Sequence, residues 1–408
     1  MKSVAAKGSV LFFLLYRLWY KEAFSDILLV LYGGTALIVL TTLLYVDHKP
    51  LKELLPAKGI LLGIYFGVYS LVTGLVVATN RDLLVSSIIT YMAFLLVCSC
   101  ISIICRGENS IQWLLKCIAI VSYVCAFYTL FYGEPYYNGI YVITMGPENN
   151  PNTLGIMMVY GMFSVLYNKK RKLGELILPL ASVFLFAYVI ILTGSRKSLL
   201  CGGILCLVWI INFVNDTRRS KNSTEKITKY LLLIAALTIG IVYFAKHYAN
   251  TASFERLLLL SEDGSSHARV GMYRESLEFF KTSKLFGIGF NQFRVLSSFK
   301  SYAHSTYAEL LACAGIFGCI LYFGPIIKTG IVLIKRMWTE PSYQVGMLVA
   351  MYLVEMILGF AIIFMYSISH LLIWTILYMS LDNIYVHKMV ADNRGVKPCQ
   401  KFEQSLDL

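Results

Sequence analysis

Five short stretches of the chain hold residues whose types and spacing could do chemistry. In Leu192-Thr193-Gly194-Ser195-Arg196-Lys197-Ser198, two adjacent cations stand at a turn before a new apolar run. A guanidinium beside a helix N-terminus makes an anion site, since both offer N–H donors to a phosphate. Cations snorkelling to lipid headgroups are the plainer account. Pro147-Glu148-Asn149-Asn150-Pro151-Asn152 has the pattern of an N-cap followed by Pro at the first helical position. A grip on a polar sugar by Asn150 and Asn152 is the sharper reading. Residues 266–275 open an amphipathic helix. Val270, Tyr273, Leu277 and Phe280 share one face, while Arg274, Glu275, Glu278 and Lys281 share the other. Arg269 and Arg274 are candidates there, against the bland alternative of a solvated charged face. Gly287 and Gly289 lack the third glycine and the strand–turn–helix setting of a dinucleotide loop, so they read as a turn where backbones approach closely. Finally, Tyr302-Ala303-His304-Ser305-Thr306-Tyr307-Ala308-Glu309 puts His304 at the mouth of an apolar run, with an expected pKa near neutral.

The elements that must position these residues follow from composition. Of 408 residues, 58% are hydrophobic and only 14% charged, with a mean hydropathy of +0.67. A soluble domain is roughly a quarter charged. The apolar residues fall in runs of about 20, the length of helix that crosses a ~30 Å hydrocarbon layer. Helices satisfy their own backbone groups in lipid, so the expected fold class is an all-α polytopic membrane protein. The runs lie at 26–46, 60–78, 83–104, 111–131, 152–167, 175–193, 198–214, 230–245, 306–327, 343–364 and 366–386. A weaker run at 8–24 makes about twelve transmembrane helices. An amphipathic helix lying on the surface is the other reading of 8–24.

Net charge is +13, and most of it sits in short loops between the runs. Basic residues gather at 168–172, at 218–229, at Lys328, Lys335 and Arg336, and in the tail after 388. The positive-inside bias puts these on the cytoplasmic side, with both termini cytoplasmic. Topology therefore accounts for the charge, and nucleic acid is not an expected partner. The stretches 79–82, 132–151, 194–197 and 246–305 then face outward, together with all five chemical stretches. The chain reads as one membrane domain, 1–408, with 246–305 as its one long extracytoplasmic loop. Ten cysteines show no CxxC spacing, and neither a disulfide framework nor a metal site is expected. Glu355 lies inside a run, where a carboxylate is costly and functional by default. Lys116 of another run is a formal partner for it.

Together these stretches resemble the O-antigen ligase and polymerase family of membrane glycosyltransferases. Leu192-Thr193-Gly194-Ser195-Arg196 is similar to the family's serine–arginine turn, and Asn150-Pro151-Asn152 to an element of many members. Residues 269–289 resemble its loop helix ending in a glycine-x-glycine turn. His304-Ser305-Thr306-Tyr307 through Gly315-Ile316-Phe317-Gly318 resembles its re-entering helix. Two departures stand out. Cys313 occupies a position that usually holds Glu, for which Glu309 is a substitute one turn earlier. Ser283-Lys284 replaces a usual proline.

The resemblance implies a glycan moved from a polyprenyl-diphosphate-linked oligosaccharide donor to a glycan acceptor, on the outer face of the cytoplasmic membrane. The departing diphosphate needs cations, the acceptor hydroxyl a general base, and the lipid tail a groove open to the bilayer. Arg196 and Arg269 fit the first need and His304 the second, as catalytic residues. Lys197, Arg274, Asn150, Asn152, Tyr307 and Glu309 are the substrate-binding candidates. Arginine can take the leaving charge, so no cofactor and no metal is called for. A flippase and a chain-length regulator are implied as partners. The reading leans to a polymerase for O-antigen or capsular polysaccharide. A ligase acting on a lipid A core or other terminal acceptor is the alternative. A transporter or flippase of lipid-linked glycan, or a non-catalytic membrane protein, belongs to another class.

Overall fold

The computed structural model describes residues 2–20, 28–46, 54–137, 141–146, 150–168, 174–219, 222–248 and 264–393. The apolar runs are mostly helical where described. The order is α1 Lys2–Leu15, continued by a π-turn Tyr16–Tyr20, then α2 Leu28–Val46, α3 Lys58–Val77, α4 Arg81–Ile104 and α5 Glu108–Tyr132. A hairpin of β1 Glu134–Tyr137 and β2 Tyr141–Thr144 follows, with Glu134 opposite Thr144. Next come α6 Pro151–Leu166, α7 Gly174–Thr193, α8 Arg196–Arg219, α9 Ser223–Tyr248, α10 Gly264–Thr282 and the single turn α11 Phe293–Leu296. The chain closes with α12 Thr306–Thr339, α13 Tyr343–Leu358, a 3₁₀ turn Phe364–Tyr366 and α14 Ile368–Asn393. The hairpin is a small departure from the all-α expectation.

Among the described residues, six helices (α3, α4, α5, α7, α8 and α12) are long and apolar enough by themselves to cross a membrane. Others are shorter and buried in the bundle; α6 packs among α5, α7 and α8. The outer surface is apolar. On α12, Ile316, Ile320, Ile327, Ile331 and Ile334 form an exposed stripe that only lipid would solvate well. Capping defines several helix starts. Asn80 accepts from Leu83 N–H, Asn150 from Asn152 N–H, Ser305 from Ala308 N–H and Ser342 from Val345 N–H.

The predicted span boundaries fail in two places. Helix α12 does not stop near 327 but runs to Thr339, so Lys328, Lys335 and Arg336 are helical rather than in a loop. Hydropathy registers their charge and misses the continuing backbone ladder. Conversely, 343–364 is not one span. Helix α13 ends at Leu358, and 359–367 is unwound but for one 3₁₀ turn. Its apolar composition hid this. Irregular backbone at membrane depth survives only where protein or a cavity satisfies it. Here Thr306 does so. Its N–H donates to Gly359 O (2.8 Å) and Ile362 O (3.0 Å), its Oγ1 donates to Ile362 O (2.5 Å), and Phe364 N–H donates to Oγ1 (3.0 Å).

A second interruption lies inside α12. Gly315 adopts φ 62°, ψ −166°, which breaks the ladder and frees the carbonyls before it. The 284–289 turn takes their place. Ile288 N–H donates to Ala312 O and Gly289 N–H to Cys313 O, both at 2.9 Å, while Ile316 N–H donates to Lys284 O at 2.9 Å. Tyr69 Oη caps Ala314 O at 2.8 Å. This is the close backbone approach read from the two glycines. A Cβ on Gly287 would stand 2.4 Å from the Cys313 carbonyl carbon, and one on Gly315 2.5 Å from that of Leu285. Farther along, the Gln292 amide exchanges bonds with Asn80 N–H (2.8 Å) and Asn80 O (2.9 Å). Tyr273 Oη donates to Phe360 O (2.7 Å), and Glu275 accepts from Ser297 Oγ and Ser298 N–H. The described part of the predicted loop is thus a folded cap on one end of the bundle.

Gly315→Ala should lower the melting temperature of the detergent-purified protein, since left-handed strain and the Leu285 clash together cost on the order of 1–3 kcal/mol. Gly324→Ala, with open space around it, should melt like wild type; equal melting of both variants would show that the splice contributes nothing.

Candidate functional site

A cavity of about 370 Å³ opens beneath this cap, between α6, α8 and the unwound 359–367 segment. Five predicted site residues line it: Asn150, Asn152, Lys197, Arg269 and His304. Arg17, Arg294, Tyr160, Tyr302, Tyr366 and His370 join them. The wall carries four cations (Arg17, Lys197, Arg269 and Arg294) and, among the described residues, no carboxylate.

Each cation reaches the cavity by a local device. Helix α7 ends at Thr193, Gly194 takes φ 63°, and α8 starts at Arg196. Ser195 Oγ donates to Asn152 Oδ1 (3.0 Å) and is paired with Ser198 Oγ (2.8 Å), which ties the turn to the start of α6. That tie aims Lys197 into the cavity. Arg196 is not among the lining residues: one residue is about 100° around a helix, so the neighbouring cation takes the place that sequence reading gave to Arg196. Arg269 comes from α10, which Tyr273 pins to Phe360 O. Arg294 comes from α11, with its guanidinium carbon 5.8 Å from the Tyr302 ring centroid and 5.9 Å from that of Tyr366, a cation–π setting. Its Nε is buried without a partner among the described residues. Arg17 enters from the π-turn and packs on Phe94.

His304 is held at φ 53°, a left-handed conformation that only firm neighbours maintain in a non-glycine residue. Glu309 supplies the firmness. It is fully buried and accepts from Ala303 N–H (2.7 Å), Tyr366 Oη (3.1 Å) and Cys313 Sγ (3.7 Å). Its carboxylate therefore lies against the Cys313 thiol, and it braces His304 rather than lining the cavity. The Tyr302 ring packs tilted against the imidazole, with centroids 4.3 Å apart. Burial pushes the His304 pKa down to about 4, with the Arg269 and Lys197 charges adding to the shift. This corrects the expectation of a near-neutral pKa: the ring is uncharged at pH 7 and offers a lone pair.

Two other predicted binding residues lie elsewhere. Arg274 is exposed on α10. Tyr307 donates to Met356 O (2.7 Å) and stacks on Phe323, a packing role between α12 and α13. Lys116 is exposed, and Glu355 finds its partners in Tyr160 and His370 instead. Arg17, Arg294 and His370 were not singled out from sequence. Arg17 stood in the run at 8–24, and only the fold brings it to the others.

Fold and site define a multi-pass helical membrane protein with a cationic cavity at one end. Residues 181–323 match the family model described as O-antigen ligase. The matched segment contains Lys197, Arg269, Arg294 and His304. No curated protein matches the chain.

Burial depresses His304 most, and the Arg269 and Lys197 charges add to it; an anion entering this cavity offsets those charges, so inorganic pyrophosphate should raise the pKa from about 4 toward the ordinary imidazole value of ~6.5. NMR titration of labelled histidine, assigned by the signal lost in His304→Gln, reads the shift directly. An unmoved His304 titration at saturating pyrophosphate would mean that the anion binds elsewhere.

Proposed function

We propose that this protein transfers a glycan from a polyprenyl diphosphate to an acceptor hydroxyl within the cationic cavity, on the outer face of the cytoplasmic membrane. The observation that carries the reading is four cations and a neutral imidazole around one cavity, with no carboxylate among the described lining residues. Such a site suits a diphosphate leaving group beside a hydroxyl nucleophile.

In this mechanism Lys197, Arg269 and Arg294 hold the diphosphate. The bond from the anomeric carbon to the phosphate oxygen breaks, and its electron pair stays on the diphosphate. That growing charge is what fixed cations in a poorly solvated site stabilise most. The acceptor oxygen forms the new bond to the anomeric carbon, and its proton passes to the uncharged ring of His304. Asn150 and Asn152 stand at the rim as neutral partners for sugar hydroxyls. The polyprenyl tail lies in lipid; an apolar groove on α5 lined by Trp19, Tyr123, Phe127, Tyr128 and Phe131 is a natural bed for it. An acceptor that is itself a repeat unit makes the protein a polymerase, the preferred reading for O-antigen or capsular polysaccharide. A lipid A core as acceptor makes it a ligase. The two interruptions sit in the adjoining α12 and α13–α14 and not at matching positions of two halves, an arrangement that favours transfer over transport.

Purified protein in nanodiscs, given lipid-linked glycan extracted from the producing cell, should lengthen it. Arg269→Ala and Lys197→Ala should each cut the rate by ~100-fold or more. His304→Ala should cost ~100- to 10,000-fold, and His304→Arg should be as inactive, because the ring acts through its lone pair. Arg196→Ala should retain most of the rate. Near-normal transfer in both Arg269→Ala and His304→Ala would sink the mechanism. Orientation is tested separately: single cysteines at Ser298 and at Asn222, in a cysteine-free chain, are exposed to an impermeant thiol reagent on whole cells. Labelling at position 298 alone is expected, and labelling at 222 alone would invert the topology.

A further inference from the structure

The cavity has a second functional set of lining residues, outside the family match. At its floor lies a buried cluster that joins three helices: Tyr160 of α6, Glu355 of α13 and His370 in the first turn of α14. All three side chains are nearly inaccessible, at 2%, 0% and 2% exposure. Tyr160 Oη donates to Glu355 Oε1 at 2.7 Å, His370 Nδ1 meets Glu355 Oε2 at 3.0 Å, and Nδ1 also lies 2.7 Å from Tyr160 Oη. The ring packs edge-on to Tyr160 and tilted against Phe364.

Packing alone does not call for this cluster. A buried carboxylate and imidazole are costly to desolvate, and an apolar trio of the same volume would join the helices at least as well. What sets the cluster apart is that Tyr160 and His370 also line the cavity. A carboxylate only accepts, so the proton of His370 is drawn to Nδ1. The other ring nitrogen, Nε2, has no hydrogen-bond partner among the described residues and keeps its lone pair. Beside it, Ser369 and Ser367 pair through their hydroxyls at 2.9 Å, and both line the cavity, as do Thr153 and Asn152. The lining is therefore mixed: Arg17, Lys197, Arg269 and Arg294 bring charge, while His370, the two serines and Asn152 bring hydrogen-bonding groups without a fixed charge. Charged donors suit a diphosphate. Neutral, directional groups suit saccharide hydroxyls, which lack the charge to repay a desolvated cation.

We propose that His370, with its tautomer fixed by Glu355 and Tyr160, accepts a hydrogen bond from a hydroxyl of the diphosphate-linked sugar and selects carriers that bear a glycan over bare carrier. This rests on the transfer reading above and adds a specificity residue to it. His370 binds substrate, whereas Glu355 and Tyr160 are positioning residues.

The test compares two probes on the full-length protein in nanodiscs: undecaprenyl diphosphate alone, and the glycan-loaded carrier extracted from the producing cell. Wild type should bind the loaded carrier more tightly. His370→Phe keeps the ring but removes both nitrogens; it should weaken loaded-carrier binding about tenfold, the worth of one hydrogen bond, and leave bare-carrier binding unchanged. Glu355→Gln should do nearly the same, because its amide donates to Nδ1, moves the proton to Nε2 and turns an acceptor into a donor. Should His370→Phe fail to fold, Glu355→Gln carries the test alone. Equal loss for both probes, or no loss for either, would assign the cluster to packing and overturn the proposal while leaving the transfer reading intact. Wild type that binds neither carrier would overturn both.

Discussion

Broken backbone inside a membrane is the constraint on which this structure depends. A peptide group without a partner in hydrocarbon costs several kcal/mol, so a helix is interrupted there only if something else supplies its bonds. Two interruptions occur side by side, at Gly315 within α12 and over 359–367 between α13 and α14. The 284–289 turn satisfies the first, and Thr306 satisfies the second. Both repairs involve the segment that begins with α10, so the cap and the broken helices hold each other. The cavity opens against the second of them, and its lining residues Ala361, Ile362, Ile363, Tyr366 and Ser367 come from the unwound segment itself.

The same arrangement settles the electrostatics. Four cations converge on a partly desolvated space in which like charges repel more strongly than in water. Two of them, Arg269 and Lys197, add to the downward shift that burial imposes on the His304 ring. Such a site is relieved by a polyvalent anion, and relief grows as that anion gains charge. In the proposed reaction, the binding of a diphosphate and the stabilisation of its departure thus arise from one cause. Glu309, held by three protein donors, braces His304 from behind the wall, within reach of the Arg294 charge.

Helix positions were legible in the sequence because an apolar run of about 20 residues has little choice in lipid. So was the N-cap at Asn150, where the residue types state the geometry, and the close approach at Gly287 and Gly289, where nothing larger fits. Boundaries failed where composition and backbone part company: 359–367 is apolar but unwound, and 328–339 is partly charged but helical. Lys197 displaced Arg196 because neighbouring residues on a helix start differ by about 100° in direction, and a turn sequence does not state the phase. Glu355 was flagged by its burial cost, yet Tyr160 lies 195 positions away from it, and no periodicity links residues at that separation. Arg17 and Arg294 were hidden for the same reason: their value comes from tertiary convergence alone.

The central claim is that the cationic cavity is where the lipid-linked diphosphate sits. A rival basic groove exists, lined by Lys58, Lys328, Thr329 and Asp382. The decisive measurement is photocrosslinking with a polyprenyl diphosphate carrying a diazirine next to the diphosphate, followed by peptide mapping on the full-length protein in nanodiscs. Crosslinks should fall on peptides containing Met145, Asn152, Arg269, Arg294 and Tyr302, and should be competed by inorganic pyrophosphate. Crosslinks confined to peptides around Lys58 and Lys328 would contradict the account.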